Sequence, residues 1–254
     1  MKAYCLASSS SGNAFIIEIG GATLLIECGI PLKEIYQKCN EFNIDFSKVC
    51  ACLITHAHKD HCLSADSIFS HGVSLYASKG TQDRLKAKIN ILEPLKVCKI
   101  VEGVYVLPFE VEHDIEGALG FVIKSKDETI IFINDSKRWN VDLRNFKPDY
   151  VFIECNYDNK VVYAQMAQIK KSFESGIDDK ELRIRMAQFK RNTNAHQSLN
   201  SCIKGLKSLN LTNCKSIFLM HLSDRYANEY KMKNAIENVF KIKTYVCKKK
   251  GGIK

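Results

Sequence analysis

Three histidines and an aspartate stand within six residues, as His56-Ala57-His58-Lys59-Asp60-His61, directly after the apolar run 50–55. Packing does not explain such a cluster. Buried imidazoles need partners, and exposed ones gain nothing from neighbours that repel them once protonated. Imidazole and carboxylate are the ligands that Zn²⁺ and similar ions prefer. On a tight loop His56 and His58 reach one ion while Asp60 and His61 reach a second. Two ions need further donors, and three stand in the same place relative to a β-rich run: His113 after 105–112, Asp135 after 129–134 and His221 after 216–220. Loops at one sheet edge carry function on a rigid base, which gives this repeated placement its weight. His71 breaks the pattern, since it precedes a strand inside a polar stretch, and reads as a surface residue.

Such loops need strands beneath them. Short runs enriched in Val, Ile, Phe and Tyr recur at 15–19, 22–27, 49–55, 73–77, 105–112, 119–125, 129–134, 150–154, 216–220 and 243–246. Gly, Asn, Asp or Ser bound them, as expected of strands. Gly20-Gly21 between the first two reads as a tight hairpin turn. The spacing predicts helices over 32–42, 80–89, 198–208 and 229–240. In the last of these Met232, Ala235, Ile236, Val239 and Phe240 form one apolar stripe. Early strands come in runs and late ones alternate with helices, which predicts two sheets with helices outside them. With four prolines and no Pro- or Ser-rich linker, residues 1–254 read as one α/β domain.

Composition narrows the class. A chain of 254 residues with 46% hydrophobic and 26% charged residues is neither disordered nor fibrous. Net charge is 37 − 28 = +9, which favours an anionic substrate or partner. Much of the positive charge lies in a polar, helix-prone segment, 159–194, with Lys160, Lys170, Lys171, Lys180, Arg183, Arg185, Lys190 and Arg191. It reads either as a solvated helical excursion or as a basic arm over the active site. Eleven cysteines, none in a C-x-x-C, predict reduced thiols acting as small buried apolar side chains, neither metal ligands nor disulfide partners. The first residues do not read as a signal peptide. The apolar stretch 15–28 is interrupted by Glu18, Gly20, Gly21 and Glu27 and cannot span a membrane. A soluble cytoplasmic protein is the expectation; the oligomeric state is not legible.

The order His56-x-His58-x-Asp60-His61, then His113, Asp135 and His221, resembles the metallo-β-lactamase superfamily. The resemblance implies an αββα four-layer sandwich with a dinuclear site between the sheet edges. It assigns His56, His58 and His113 to the first ion, Asp60, His61 and His221 to the second, and Asp135 to a bridge between them. Where the family commonly has an aspartate, this chain reads Leu25-Ile26-Glu27-Cys28-Gly29; Glu27 keeps the charge and adds a methylene. Shorter motifs are similar to the YycJ/WalJ-like branch, whose members are metal-dependent nucleases acting on DNA. They are Ser9-Ser10-Ser11-Gly12-Asn13, Glu154-Cys155-Asn156-Tyr157-Asp158, Asn194-Ala195-His196-Gln197-Ser198-Leu199 and His221-Leu222-Ser223-Asp224-Arg225.

The resemblance thus implies a hydrolase of nucleic acid, a DNA exonuclease, using two divalent ions, Zn²⁺, Mn²⁺ or Fe²⁺. A water held between the ions is the expected nucleophile, with Asp60 as ligand and orienting group. The charge of +9 suits a nucleic-acid or nucleotide substrate and no membrane. Two alternatives use the same site: a cyclic-nucleotide phosphodiesterase, and a thioester or lactam hydrolase, which leaves the basic surface unexplained. His196 is expected to contact the scissile phosphate or protonate the leaving group without ligating an ion. It precedes a helix whose free N–H groups attract phosphate, so Ser198, together with Arg191, is assigned to substrate binding.

Overall fold

The computed structural model describes residues 1–177 and 179–253. The first sheet begins as an antiparallel meander, β1 (Lys2–Ser9), β2 (Gly12–Ile19) and β3 (Ala22–Cys28), with Gly20 and Gly21 both at positive φ (57° and 81°) in the predicted hairpin turn. Helix α1 (Leu32–Glu41) then leads to β4 (Val49–Leu53). Short helices α2 (Lys59–Cys62) and α3 (Ala65–Ser70) lead to β5 (Ser74–Ala77), and α4 (Lys79–Gln82) to β6 (Asn90–Ile91). From β3 onward this sheet is parallel, in the order β1-β2-β3-β4-β5-β6.

The second sheet starts with β7 (Cys98–Val101), β8 (Val104–Glu112), β9 (Leu119–Lys124), β10 (Thr129–Ile133) and the two-residue edge strand β11 (Arg138–Trp139). It continues through β12 (Tyr150–Glu154), helices α5 (Asn159–Glu174), α6 (Lys180–Ala195) and α7 (Leu199–Lys207), then β13 (Ser216–Met220), α8 (Glu229–Phe240) and β14 (Lys243–Val246). The order is β11-β8-β9-β10-β12-β13-β14, with β7 paired to β8.

Strands buried on both faces hold the layers together. On β2, Phe15, Ile17 and Ile19 point into the core between the sheets, against Phe121, Phe132 and Phe152. Its alternate residues, Ala14 and Ile16, face the layer of Ile35 and Cys39 from α1 and Ile68 from α3. Behind the second sheet, Cys202 and Leu206 of α7 and Met232 and Ile236 of α8 cover β12 and β13. The result is the four-layer αββα sandwich. Helices α5 and α6 have a separate small core of Val162, Ile169 and Phe189 with Tyr157 and Tyr226. No helix among the described residues is long and apolar enough to cross a membrane.

One expectation is corrected. The residues 80–89 are not a helix: α4 ends at Gln82, whose amide group bonds the backbone of Ala87 and Ile89, while Asp66 accepts from Ala87 N at 2.7 Å. After a closing turn at 83–85, these side-chain bonds hold 86–89 out of the helix. The Ser-rich N-terminus, given no element from the sequence, forms β1, buried from Cys5 to Ser9 beside β2. All eleven cysteines are free thiols.

Candidate metal centre

Helix α2 seats the histidine loop. A Cβ at Gly29 would lie 1.7 Å from the Asp60 carbonyl oxygen, so only glycine lets α2 approach the end of β3. The Ser9–Asn13 turn clamps it from the other side: Asn13 Nδ2 donates to Ser9 O (2.9 Å) and to Asp60 O (3.3 Å). His58 stands at the N-cap of α2, and Asp60 and His61 lie within the helix.

The first three imidazoles converge. His58 Nδ1 lies 3.0 Å from His56 Nε2 and 3.2 Å from His113 Nε2. Their other nitrogens have partners: Thr55 Oγ1 for His56 (2.9 Å) and the Ala195 carbonyl, which accepts from His113 Nδ1 (3.1 Å). Such outer bonds fix the tautomer that presents the inner nitrogen. Nitrogens on a tetrahedral ion at ~2.1 Å stand roughly 3.4 Å apart, close to the observed spacing.

The second group is Asp60, His61, Asp135 and His221, whose donor atoms all lie within 4.8 Å of one another. Asp135 stands between the groups, its Oδ2 3.3 Å from His61 Nε2 and 3.9 Å from His113 Nε2. Asp135 Oδ1 and His221 Nε2 are buried without a hydrogen-bond partner, a costly state that an ion between them would relieve. Asp135, His221 and Glu27 all adopt positive φ (39°, 54° and 63°) at strand ends, backbone strain concentrated where the donors meet. Glu27 is fully buried, reaches His61 Nδ1 at 3.1 Å and accepts from the Thr55 hydroxyl at 2.5 Å. The extra methylene therefore still allows a contact with the second group. No cysteine joins either group among the described residues.

Charge is distributed to match. Burial, with neighbouring imidazoles, holds His56 well below its usual range. Burial opposes charge on His61 and His221, but the surrounding carboxylates together outweigh it, Asp135 with Glu27 and Asp60 for His61 and Asp135 with Asp60 and Glu154 for His221; His61 is raised well above its usual value and His221 to about 10. Burial would push Asp60 and Asp135 up, yet contacts with His61 and His221 hold both carboxyls below the usual range.

His196 closes α6 and stacks on His221, with ring centroids 5.2 Å apart. Its Nδ1 lies 2.6 Å from Glu154 Oε1. Glu154 is fully buried at the end of β12, and its Oε2 accepts from the backbone N–H groups of Ser136 (2.8 Å) and Gln197 (3.2 Å). Glu154 carries no assigned role in its motif, and its one signal in the sequence is a charge closing an apolar strand. Ser198 is buried, its hydroxyl accepts from Ser201 N at 3.1 Å to cap α7, and it is not among the residues lining this cavity. Arg191 does line it, alongside Asn192 and Gln188, so α6 forms one wall. His71 is exposed, as expected, bonded to Ser67 O.

The donors floor a cavity of about 530 Å³ whose mouth carries Lys59, Arg191 and Arg225. A family described as the β-lactamase superfamily domain matches residues 23–172. The exodeoxyribonuclease WalJ of Streptococcus pneumoniae strain D39 is 27% identical over 172 residues, 62% of this chain and 63% of that protein. The chain therefore matches less than two thirds of that relative's length. A ribonuclease of Thermus thermophilus is 32% identical over 117 residues, 45% of this chain and 25% of its own. Among solved structures, the metallo-β-lactamase fold protein YhfI from Bacillus subtilis superposes with a TM-score of 0.70 at 14% identity, covering 99% of this chain and 98% of that one. The match over more than half of the chain, on this fold and around these donors, makes it a member of the β-lactamase superfamily, with the metallo-β-lactamase fold.

Proposed function

We propose that the chain is a metal-dependent phosphodiesterase that degrades DNA from an end, with two divalent ions held by His56, His58 and His113 and by Asp60, His61 and His221, and Asp135 shared between them. The observation that carries this is the pair of adjacent donor groups on the cavity floor, joined by a buried Asp135 whose Oδ1 has no hydrogen-bond partner. Bound there, divalent ions would supply Lewis acidity and lower the pKa of a water. The DNA reading is supported by the exodeoxyribonuclease named among the relatives and by the cationic mouth.

The residues divide the work. Lys59, Arg191 and Arg225 hold a phosphate over the floor and offset its charge. Asp60, part-exposed to the cavity, accepts a hydrogen bond from the attacking water and orients it. Glu154 holds His196 Nδ1, which leaves Nε2 to give a proton to the departing oxygen. Glu154 acts here as a positioning residue.

The test adds Mn²⁺ and Zn²⁺ separately to the protein with end-labelled DNA, beside a panel of cyclic nucleotides. The expected result is mononucleotide release from one end, and no turnover in Asp60→Ala, which keeps its fold. Hydrolysis of cyclic nucleotides with DNA untouched would overturn the reading, as would full activity in Asp60→Ala.

A further inference from the structure

A second concavity lies against the outside of the wall that carries Asp135 and His196. It has a volume of about 500 Å³ between β11 and α7. Lys137, Arg138 and Lys204 line it, together with Trp139, Gln197 and Ser201, and no carboxylate does. Arg138 and Lys137 pair at its rim with Glu112, yet their side chains remain 66% and 44% exposed. The main cavity, by contrast, contains Asp60, Asp135 and Asp224. The groove is thus polarised towards anions without donors for a metal.

Its aromatic wall is fixed. The Trp139 ring meets Gly205 by its six-membered edge, where a Cβ would stand 2.5 Å from Cη2, so only glycine lets the indole come this close to α7. Strand β11 holds the backbone in register, with Trp139 opposite Val111 and Arg138 opposite Glu112. Beneath lies Gln197, 1% exposed, whose amide donates to Ser136 Oγ and whose Oε1 is buried without a partner. A stationary aromatic face, three cations and an unpaired acceptor are what a single nucleic-acid strand requires.

Both groove walls leave directly from the proposed site. Lys137 and Arg138 follow Asp135 by two and three residues, and Gln197 follows His196. Gln197 N donates to Glu154 Oε2, so the groove floor and the His196 carboxylate share one hydrogen bond.

We propose that the β11–α7 groove is a second binding site for a single-stranded phosphodiester chain, holding substrate remote from the bond that is cut. The identity of its ligand rests on the phosphodiesterase reading. Lys204 and Arg138 pair with phosphates, and Trp139 stacks on a base.

Trp139 is the only tryptophan in the chain, so its fluorescence reports on this one ring, which the groove shares with an adjoining cavity lined by Glu110 and Glu112; Lys204 lines the groove and not that cavity, so its variants assign the signal. Titration of the protein with a dT12 oligonucleotide is expected to quench it, with an affinity that falls steeply with salt. Lys204→Glu weakens this binding about tenfold and flattens the log–log salt slope by roughly 0.7, one single-strand phosphate contact. Lys204→Gln falls between. Hydrolysis of bis(p-nitrophenyl) phosphate, too small to reach the groove, stays unchanged in both variants. No quenching, equal affinity in the variants, or an equal loss of small-diester turnover would each overturn the proposal. Quenching in a protein that cleaves no diester would leave the groove standing and remove the phosphodiesterase reading; turnover of the small diester without quenching would do the reverse.

Discussion

An imidazole gives a proton to a leaving oxygen effectively when its other nitrogen is held and its cation persists near neutral pH. Burial alone would pull His196 down, but the Glu154 carboxylate at 2.6 Å outweighs it and raises the group. A raised value keeps the acid form present above the usual histidine range, so loss of this acid should appear as the alkaline limb of the activity profile. Glu154→Gln removes the charge that does this, and the alkaline limb of the kcat profile should move to lower pH. His196→Ala should lower kcat by roughly 10²–10⁴-fold at full ion content; loss of an ion would instead make His196 a ligand. The ligand histidines carry a second prediction. In the ion-free protein Asp135 and the neighbouring carboxylates raise His61 well above its usual value and His221 to about 10, so both are cations at neutral pH. A ligating imidazole must be neutral, so ion binding releases protons and tightens as pH rises. The sign for folding is the opposite: the stability His221 contributes is fully present below the unfolded value of about 6.5 and is lost as pH rises through its folded value. Calorimetric titration with Zn²⁺ in two buffers of different ionisation enthalpy should show at least one proton released near neutral pH. Heats independent of buffer would contradict the protonation assigned to these two histidines.

At the scale of elements, the second donor group depends on how closely α2 sits on the end of β3. Gly29→Ala places a methyl 1.7 Å from the Asp60 carbonyl and 2.6 Å from His61 N, so α2 must move and carry both donors with it. Elemental analysis should then find about half the ion content of the wild type, with the His56, His58 and His113 group still loaded; full content would show that α2 tolerates the shift. Placement of donors on such elements was readable in the chain because it repeats. His56, His113, Asp135 and His221 each follow an apolar run, and the strands at 150–154, 216–220 and 243–246 and the helix at 229–240 fall at the predicted bounds. What composition does not carry is partnership. Glu27 and Glu154 each close or nearly close an apolar strand, and a charge in that position looks the same whether water or a buried histidine receives it. Ser198 fits both a helix cap and a phosphate contact, and only its bond to Ser201 N separates them. The residues 80–89 have helical composition, yet bonds from Gln82 and Asp66 to backbone N–H groups and a carbonyl compete with the helix. The segment 159–194 combines both readings: its helices α5 and α6 are largely solvated, and α6 alone brings a basic residue, Arg191, into the cavity wall.

Across the whole molecule, the two sheets share the site. Loops of the first sheet supply His56, His58, Asp60 and His61, and those of the second supply His113, Asp135 and His221. Direct bonds between these edges are few and modest, such as Leu119 N to Thr55 O (3.0 Å) and His221 N to Ser8 Oγ (2.9 Å). Ions held by donors from both sides would therefore act as cross-links between the sheets, and their binding energy would become folding energy. An ion at a thousandfold over its dissociation constant stabilises by about 4 kcal/mol. For a chain of this size each kcal/mol raises Tm by roughly 2–4 °C, so each ion should raise it by roughly 10 °C and the two together by roughly 20 °C. Thermal unfolding with and without a chelator measures this directly, and adding back Zn²⁺ or Mn²⁺ should restore the loss. His221→Ala, which removes the second sheet's imidazole from the second group, should abolish about half of the increment while the ion held by His56, His58 and His113 remains. A Tm unmoved by chelation in protein shown to carry ions would mean that the unfolded chain binds them as tightly as the folded one, and the ions would then contribute nothing to holding the two sheets together.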